Sequence, residues 1–461
     1  MSDEILQLVA KARAAQEQIE FWSQEQVDEM VAAVGWELYE RSHAEACARL
    51  AVDETQMGVY EDKLGKHQKK TLGTLRDLHG LKTVGIIEEN KEKGLLKIAK
   101  PVGVIGALTP MTNASSTLSC NGLPMLKTRN AVIFAPHPRA KKTAALTVSY
   151  MRAGLRKVGA PEDLVQCLEE PTVELTQELM KHVDLIVATG GSAMVKVAYS
   201  SGTPAYGVGA GNSVTVVDET ADLVDAAKKI FLGKTFDNAT SCSSENSCVM
   251  HTSVFERMVE LFKSHGGYLC NAEEKARLKA AMWPDGAHLS KDVVGQHASK
   301  IAKLAGISSW EKVTFLMVVG EAVGKEDMFS GEKLSPVLTL WKYNDFDDAI
   351  KLVRDITRYS GYGHSCGLHT TNEEHMLRLG TQARVSRMMV RQTQPFANSG
   401  NYDNGMPFAL TLGCGTWGGN ITSENVHWKH FINTTWVSMP IPPVVPDENV
   451  IFGAHWKKYG K

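Results

Sequence analysis

The chain has 461 residues, 43% of them hydrophobic and 22% charged, with a formal net charge of −2 and a sequence pI near 6.7. That length implies two or three domains at about 100–200 residues each, and so even a charge balance excludes a nucleic-acid or membrane surface as the main partner. Eight cysteines, scattered without a C-x-x-C pair, fit a reducing compartment and not a disulfide framework.

The start, Met1-Ser-Asp-Glu-Ile, is polar and acidic, unlike the basic lead and apolar core of an export signal. No run of about 18 apolar residues occurs, so the expected location is the cytoplasm. Ser23 and Gln26 have capping-box spacing, and Val27, Met30, Val31, Val34 and Leu38 then mark one buried helix face. Helical pattern continues to Leu81 and includes a basic turn, Lys66-His-Gln-Lys69-Lys70, expected to be solvated surface.

From Leu95 the rhythm becomes strand and helix in alternation. Strands are predicted at 102–108, 131–134, 184–188 and 213–217, with an apolar segment at 164–168. Helices are predicted at 141–158, 173–180, a stretch ending at 200, and 223–232. Such alternation builds βαβ units and a parallel sheet, so residues 95–233 are expected to form a doubly wound, Rossmann-like cofactor-binding domain, with residues 1–94 a helical segment packed on it. A second α/β set, residues 234–430, shows helices near 255–265, 273–282 and 292–304 and strands at 315–319, 337–341 and 386–390. The remainder, 431–461, holds a strand at 434–439 and the proline-rich stretch 440–446, which cannot be helical. That apolar arm is expected to pack on a second copy, giving a homodimer or homotetramer.

Cys242 lies in Phe-Asp-Asn-Ala-Thr-Ser-Cys-Ser-Ser-Glu-Asn (236–246), among hydroxyls and amides. A structural cysteine packs among apolar neighbours, whereas a working thiol needs donors for its thiolate and for an adjacent oxyanion; the string alone leaves a working thiol and an inert one both open. Gly190-Gly191 sits at a strand-to-helix turn, where backbone amides can receive a phosphate or simply make a tight turn. His364, Cys366 and His369 tempt a zinc reading, but a closed site wants four ligands, and alternation along a strand accounts for the spacing; no metal is expected. Asn113, after Thr109-Pro110, reads by itself as a helix N-cap.

These strings together resemble the aldehyde dehydrogenase superfamily, in its CoA-acylating branch, in family order from about residue 95 to 430. The matching stretches are Pro101–Gly106 with Thr109–Asn113, Lys127–Asn130 with Pro136–Lys142, Ala188–Gly191, Lys234–Asn238 with Cys242, Glu332–Pro336, and Gly413–Asn420 with Ser423–Asn425. The resemblance implies two doubly wound α/β domains with a C-terminal oligomerisation arm. It makes Cys242 the nucleophile that forms a thiohemiacetal and then a thioester, and Asn113 the oxyanion donor. Thr109, Pro110, Thr189, Gly190, Gly191, Gly209 and Glu332 are expected around a nicotinamide nucleotide. Arg139, within a basic string that lacks the usual ribose-binding acid, tilts the nucleotide towards NADP, with NAD the other choice.

Hydrolytic members place a glutamate where Gly207 stands here. Without that base, often worth about 10²–10⁴-fold, coenzyme A is expected to take the acyl group, and Gly207→Glu is expected to restore some hydrolysis. Glu245 is expected to be scaffold, and His364 is a candidate to deprotonate coenzyme A. Within the branch, the hydroxyl-rich loop looks most like enzymes acting on sulfoacetaldehyde, with Asn238, Thr240, Ser241, Ser243 and the cation Arg391 as candidate sulfonate partners. Succinate semialdehyde and acetaldehyde are the alternatives, and a filament or microcompartment component is the reading from outside the enzymes.

Overall fold

The computed structural model describes residues 3–308 and 310–461. Four helices lead: α1 (Asp3–Ile19), α2 (Gln24–Tyr39), α3 (Arg41–Thr55) and α4 (Tyr60–Leu78). The Ser23 hydroxyl accepts from the Gln26 amide at 3.3 Å and the Gln26 side chain accepts from the Ser23 amide at 2.9 Å, satisfying donors that would otherwise be orphaned at the start of α2. Val27, Met30, Val31, Val34 and Leu38 are buried in the core that also holds the first parallel sheet.

A hairpin follows, β1 (Gly85–Asn90) and β2 (Leu95–Pro101). β1 is mostly exposed and β2 mostly half-buried, and the hairpin lacks the apolar alternation that announces a strand, so the sequence did not reveal it. The first parallel sheet contains β3 (Val104–Thr109), β4 (Ala131–Pro136), β5 (Val165–Cys167), β6 (Leu185–Thr189) and β7 (Ala205–Val208), in the order β5-β4-β3-β6-β7. Helices α5 (Ser116–Lys127), α6 (Lys141–Lys157), α7 (Val173–His182) and α8 (Ser192–Tyr199) connect these strands. The second sheet contains β8 (Ser213–Val217), β9 (Glu245–His251), β10 (Gly267–Leu269), β11 (Phe315–Val319), β12 (Val337–Tyr343), β13 (Gly363–His369) and β14 (Val385–Val390). Its order is β10-β11-β12-β9-β8-β13-β14, parallel throughout. These two sheets are the α/β architecture that the motifs implied.

The chain changes sheet between β7 and β8. Ser213–Val217 pairs with β9 and β13, so the crossing lies one strand and one helix upstream of the expected boundary at 233. β8 follows β7 directly, but β7 is not among the strands predicted from the sequence, so the pattern there reads as unbroken alternation. The helix expected at 292–304 is shorter, Ala298–Leu304. Gly295 turns the chain at φ +67°, and its carbonyl accepts from the amide of Gly58 at 2.9 Å and from the side chain of Asn238 at 3.0 Å, ties that a continuous helix would break.

β15 (Ile432–Ser438) adds to the free edge of β2, antiparallel. The proline-rich segment follows without regular structure, then an unforeseen helix, Glu448–Tyr459, which buries none of its residues. Val444 and Val445 are each 84% exposed, a costly presentation of apolar surface for an isolated chain.

Candidate active site

A cavity of about 330 Å³ opens where the two sheets face one another. It lies outside the carboxyl ends of the first sheet at β3 and β6, where the strand order reverses; ligands of open α/β sheets bind at such a switch point. From this side it is lined by Thr109 and Pro110 after β3, Pro136, His137 and Pro138 at the end of β4, Thr189, Gly190 and Gly191 after β6, and Val208 and Gly209 after β7. A Cβ built on Gly190 or Gly191 would meet no atom within 4 Å. The turn therefore presents bare backbone to open space at the start of α8, which suits a pyrophosphate; the residues present fit a dinucleotide.

The opposite wall carries the side chains that can react. Cys242 stands on the loop before β9, and its Sγ lies 3.2 Å from Nε2 of His364 at the start of β13. His364 Nδ1 is 2.8 Å from the Ser365 hydroxyl, which itself donates to Ser213 at 3.3 Å. Nδ1–H therefore donates to Ser365, leaving the Nε2 lone pair facing the thiol. Burial, helped by Arg387, pushes His364 down to about 3, so the ring is neutral. Burial, with lesser contributions from Glu332 and Cys414 and against Arg387, pushes the Cys242 thiol up to about 12. The resting pair is thus thiol and neutral imidazole. Arg387 sits beneath it, donating to the carbonyls of His364 at 3.0 Å and Gly413 at 2.6 Å and to Asn425 Oδ1 at 3.1 Å. Gly211 passes so close that a Cβ there would come within 1.8 Å of the Cys242 carbonyl.

The loop reaches Cys242 through an unusual turn: Asp237, Asn238 and Ala239 have φ of 51°, 51° and 58°. Asp and Asn tolerate the left-handed region, but alanine does not adopt it readily, so outside contacts must hold the turn. Asp237 provides them. Its Oδ1 accepts from the Val59 amide at 2.9 Å, and its Oδ2 accepts from Lys66 at 2.6 Å, Lys63 at 3.1 Å and Thr240 at 2.7 Å. Burial pushes this carboxyl up, and Lys66 and Lys63 outweigh burial, holding it below the usual carboxylate range.

The basic turn expected at the surface is thereby corrected. Lys66 and Lys70 are buried within α4, Lys66 on Asp237 and Asn113 and Lys70 on the carbonyls of Ser399 and Gly400. Lys63, Lys66 and Lys70 recur at helical spacing on one inward face, a signal that the charge of the string concealed.

Cys242, Asn113, Thr109, Pro110, Thr189, Gly190, Gly191, Gly209 and Glu332 all line the cavity. Asn113 does not cap α5 with its side chain; its Oδ1 accepts from Lys66 at 2.8 Å. Burial pushes Glu332 up to about 8, against the Gly211 amide; it is the one carboxylic residue among the described residues of the lining.

Other candidates lie outside. Arg139 turns away and donates to the Thr55 carbonyl at 2.6 Å. Asn238 engages Gly295, and the hydroxyls of Ser241 and Ser243 engage each other at 3.1 Å. Arg391 is exposed at φ 53°, its guanidinium without a hydrogen bond or ion pair among the described residues. Thr240, of the same hydroxyl-rich loop, does line the cavity. Glu245 points away from the cavity, accepting from the Gln394 amide at 3.0 Å. Gly207 is not in the lining, and a Cβ there would lie 2.6 Å from Val195 and 2.8 Å from Tyr199. The expected gain of hydrolysis by Gly207→Glu is withdrawn, because that side chain starts inside the packing of α8.

The aldehyde dehydrogenase family model matches residues 1–409. The chain belongs to this family. A sulfoacetaldehyde dehydrogenase of Acholeplasma sp. is 50% identical over 458 residues, 98% of this chain and 94% of the relative. A sulfoacetaldehyde dehydrogenase (acylating) of Bilophila wadsworthia (strain 3_1_6) is 48% identical over 454 residues, 98% of each. The solved acetylating aldehyde dehydrogenase of Geobacillus thermoglucosidasius superposes with a TM-score of 0.93 at 35% identity, covering 96% of this chain and 98% of that one. A propionaldehyde dehydrogenase of Rhodopseudomonas palustris, solved with CoA and an acylated cysteine, gives 0.85 at 29%, covering 94% and 97%. This aldehyde dehydrogenase is an oxidoreductase of the CoA-acylating branch. No helix among its described residues is long and apolar enough to cross a membrane.

Proposed function

We propose that the enzyme oxidises sulfoacetaldehyde, with coenzyme A and a nicotinamide nucleotide, to sulfoacetyl-CoA through a thioester on Cys242. The observation that carries the chemistry is the Cys242–His364 contact of 3.2 Å within the cavity. As Sγ adds to the aldehyde carbon, the thiol proton passes to Nε2 of His364, so no free thiolate forms in the empty pocket. The new oxyanion is held by the Asn113 amide and the Cys242 backbone N–H, each such donor being worth about 2.7–4 kcal/mol of barrier. A nicotinamide bound in the cavity would supply the hydride acceptor, and Glu332 would hold its ribose. The acyl group then rests on sulfur. His364, neutral again once its proton is lost, takes the proton of the coenzyme A thiol as that sulfur attacks, and returns it to Cys242 when the tetrahedral adduct collapses.

NAD⁺ is the nucleotide this geometry favours, against the lean of the basic string. The acid that the string lacks comes from α3: Glu54 accepts from the amides of Lys142 and Thr143, each at 2.8 Å, and from the Thr143 hydroxyl at 2.7 Å. A carboxylate at the start of α6, just past the second strand, repels a 2′-phosphate and suits a ribose hydroxyl. Lys141 pairs with Glu170, leaving less cation for a phosphate.

Similarity to sulfoacetaldehyde dehydrogenases supports the substrate. For the sulfonate, the half-buried Lys69 joins Arg391 as a candidate: its ammonium lies 5.4 Å from the Phe396 ring and 5.6 Å from that of Tyr402, without a hydrogen bond or ion pair among the described residues. The exposed arm after β15 is read as the surface that joins copies of the chain. Initial rates with sulfoacetaldehyde, succinate semialdehyde and acetaldehyde, each with NAD⁺ and NADP⁺ and with or without coenzyme A, test the whole reading. Full-rate release of free acid without coenzyme A would end it, and preference for acetaldehyde would remove the sulfonate.

A further inference from the structure

Two loops from different sheets must meet for the reaction above: the turn after β3, which bears Asn113, and the turn before β9, which bears Cys242. They are joined by a helix that belongs to neither sheet. Lys66 of α4 donates to Asn113 Oδ1 at 2.8 Å and to Asp237 Oδ2 at 2.6 Å. One helical turn earlier, Lys63 donates to the Thr112 carbonyl at 3.2 Å and to the same Asp237 oxygen at 3.1 Å. Both lysines are 6% exposed. Asp62, whose Oδ2 accepts from the Asp237 amide at 2.7 Å, is the second carboxylate of this largely buried cluster, and taking four such groups from water is an expensive way to pin a turn.

We propose that Lys66 is a positioning residue for the oxyanion, fixing the Asn113 carboxamide with its NH₂ towards the reacting carbonyl. This rests on Asn113 being the oxyanion donor. The two ends of a carboxamide are nearly the same shape, and unaided it can turn its oxygen to the substrate, where it would repel the developing charge. An ammonium has no acceptor, so the atom it meets is the oxygen, and the opposite end must be the donor. The same positive charge draws electron density through the amide and strengthens that N–H. Asp237 keeps Lys63, Thr240 and the Val59 amide when Lys66 is removed, so the left-handed turn retains its other supports.

A double-mutant cycle on the full chain tests this: Lys66→Met, Asn113→Ala and the pair, with kcat, both KM values and the unfolding temperature measured for each. Asn113→Ala is expected to lower kcat by about 10²–10³-fold. Lys66→Met should lower kcat by about tenfold or more alone, with KM for nucleotide and coenzyme A within about twofold, and by less than about threefold when Asn113 is already alanine. Lys66→Arg should recover most of the loss. An equal loss in both backgrounds would make Lys66 a support of the fold alone and overturn the proposal. An unchanged kcat in Asn113→Ala would instead remove the oxyanion reading and the Lys66 proposal with it. If Lys66→Met does not fold, the cycle is run with Lys66→Gln, which keeps a donor and loses the charge; a smaller but still non-additive loss is expected, and additivity again overturns the idea.

Discussion

The two walls of the cavity recognise by different means. Towards the five-stranded sheet the lining includes bare backbone, at Gly190 and Gly191, where an added Cβ would meet no atom within 4 Å. Towards the seven-stranded sheet it is side chains whose protonation the protein has shifted: buried His364 and half-buried Cys242 and Glu332. A wall of amides fails when atoms are added to it. A wall of titrating groups fails when atoms are taken away.

The largest effect follows from removal. Cys242→Ala should reduce acyl-CoA formation by about 10⁴-fold or more while nucleotide affinity, followed by fluorescence, stays within about twofold. A variant that lost both together would show that the two walls are not separable. Addition gives the next largest. Gly190→Val should weaken nucleotide binding by about tenfold or more, since its side chain enters the space a phosphate needs, yet leave the unfolding temperature unchanged because no atom lies within 4 Å of its Cβ. Gly207→Ala is the control on the same sheet: its Cβ would press on Val195 and Tyr199 at 2.6 and 2.8 Å, and overpacking of that kind costs about 1–3 kcal/mol of stability. Equal unfolding temperatures for the two variants would contradict the contrast.

The same division explains what could be read from the chain. The backbone wall was legible, because strand–turn–helix punctuation and glycine pairs are local: β8 and β11 begin and end where alternation placed them, and the residues at the ends of β3 and β6 line the cavity as named. Cys242 stood out by its hydroxyl-rich loop, which alone left an inert thiol open, together with the family resemblance. The network beneath it was not. Lys63 and Lys66 meet Asp237 across more than 170 positions, and a lysine-rich turn reads as solvent-facing until the partner loop is in place. Glu54 was missed for the same reason, since the acid at the start of α6 is supplied by another helix. Gly207 shows the converse: its alignment with a catalytic glutamate was visible, but the direction of its Cβ was not. Arg391 ends a strand in a left-handed conformation, and nothing local in the sequence reveals which way its side chain leaves.

A smaller effect probes the coupling within the reactive wall. Glu332, raised to about 8, is protonated at pH 7 and ionises above pH 8, where its charge holds the Cys242 thiol up. Glu332→Gln should therefore be alkylated at Cys242 by iodoacetamide several-fold faster than the parent above pH 8 and at nearly the same rate at pH 7. The stability sign follows from the same shift. The folded state keeps a proton that the unfolded carboxyl releases from about 4.5 upward, so this group's contribution declines as pH rises from there through 8. The glutamine variant should lose less unfolding temperature over that interval. Identical alkylation rates across the range would mean that Glu332 and Cys242 do not sense one another.

The smallest expected change crosses from one wall to the other in kind. Glu54 is a side chain doing the work of the backbone wall, closing the amides of Lys142 and Thr143 that would otherwise be open to an anion. Glu54→Gln keeps one acceptor for those amides and removes the charge. The ratio of kcat/KM for NADP⁺ to that for NAD⁺ should rise by about three- to tenfold, as expected for losing one like-charge contact near the surface, with little change in kcat on NAD⁺. If the ratio does not move, nucleotide choice is set by the amides themselves, and the first wall is backbone throughout.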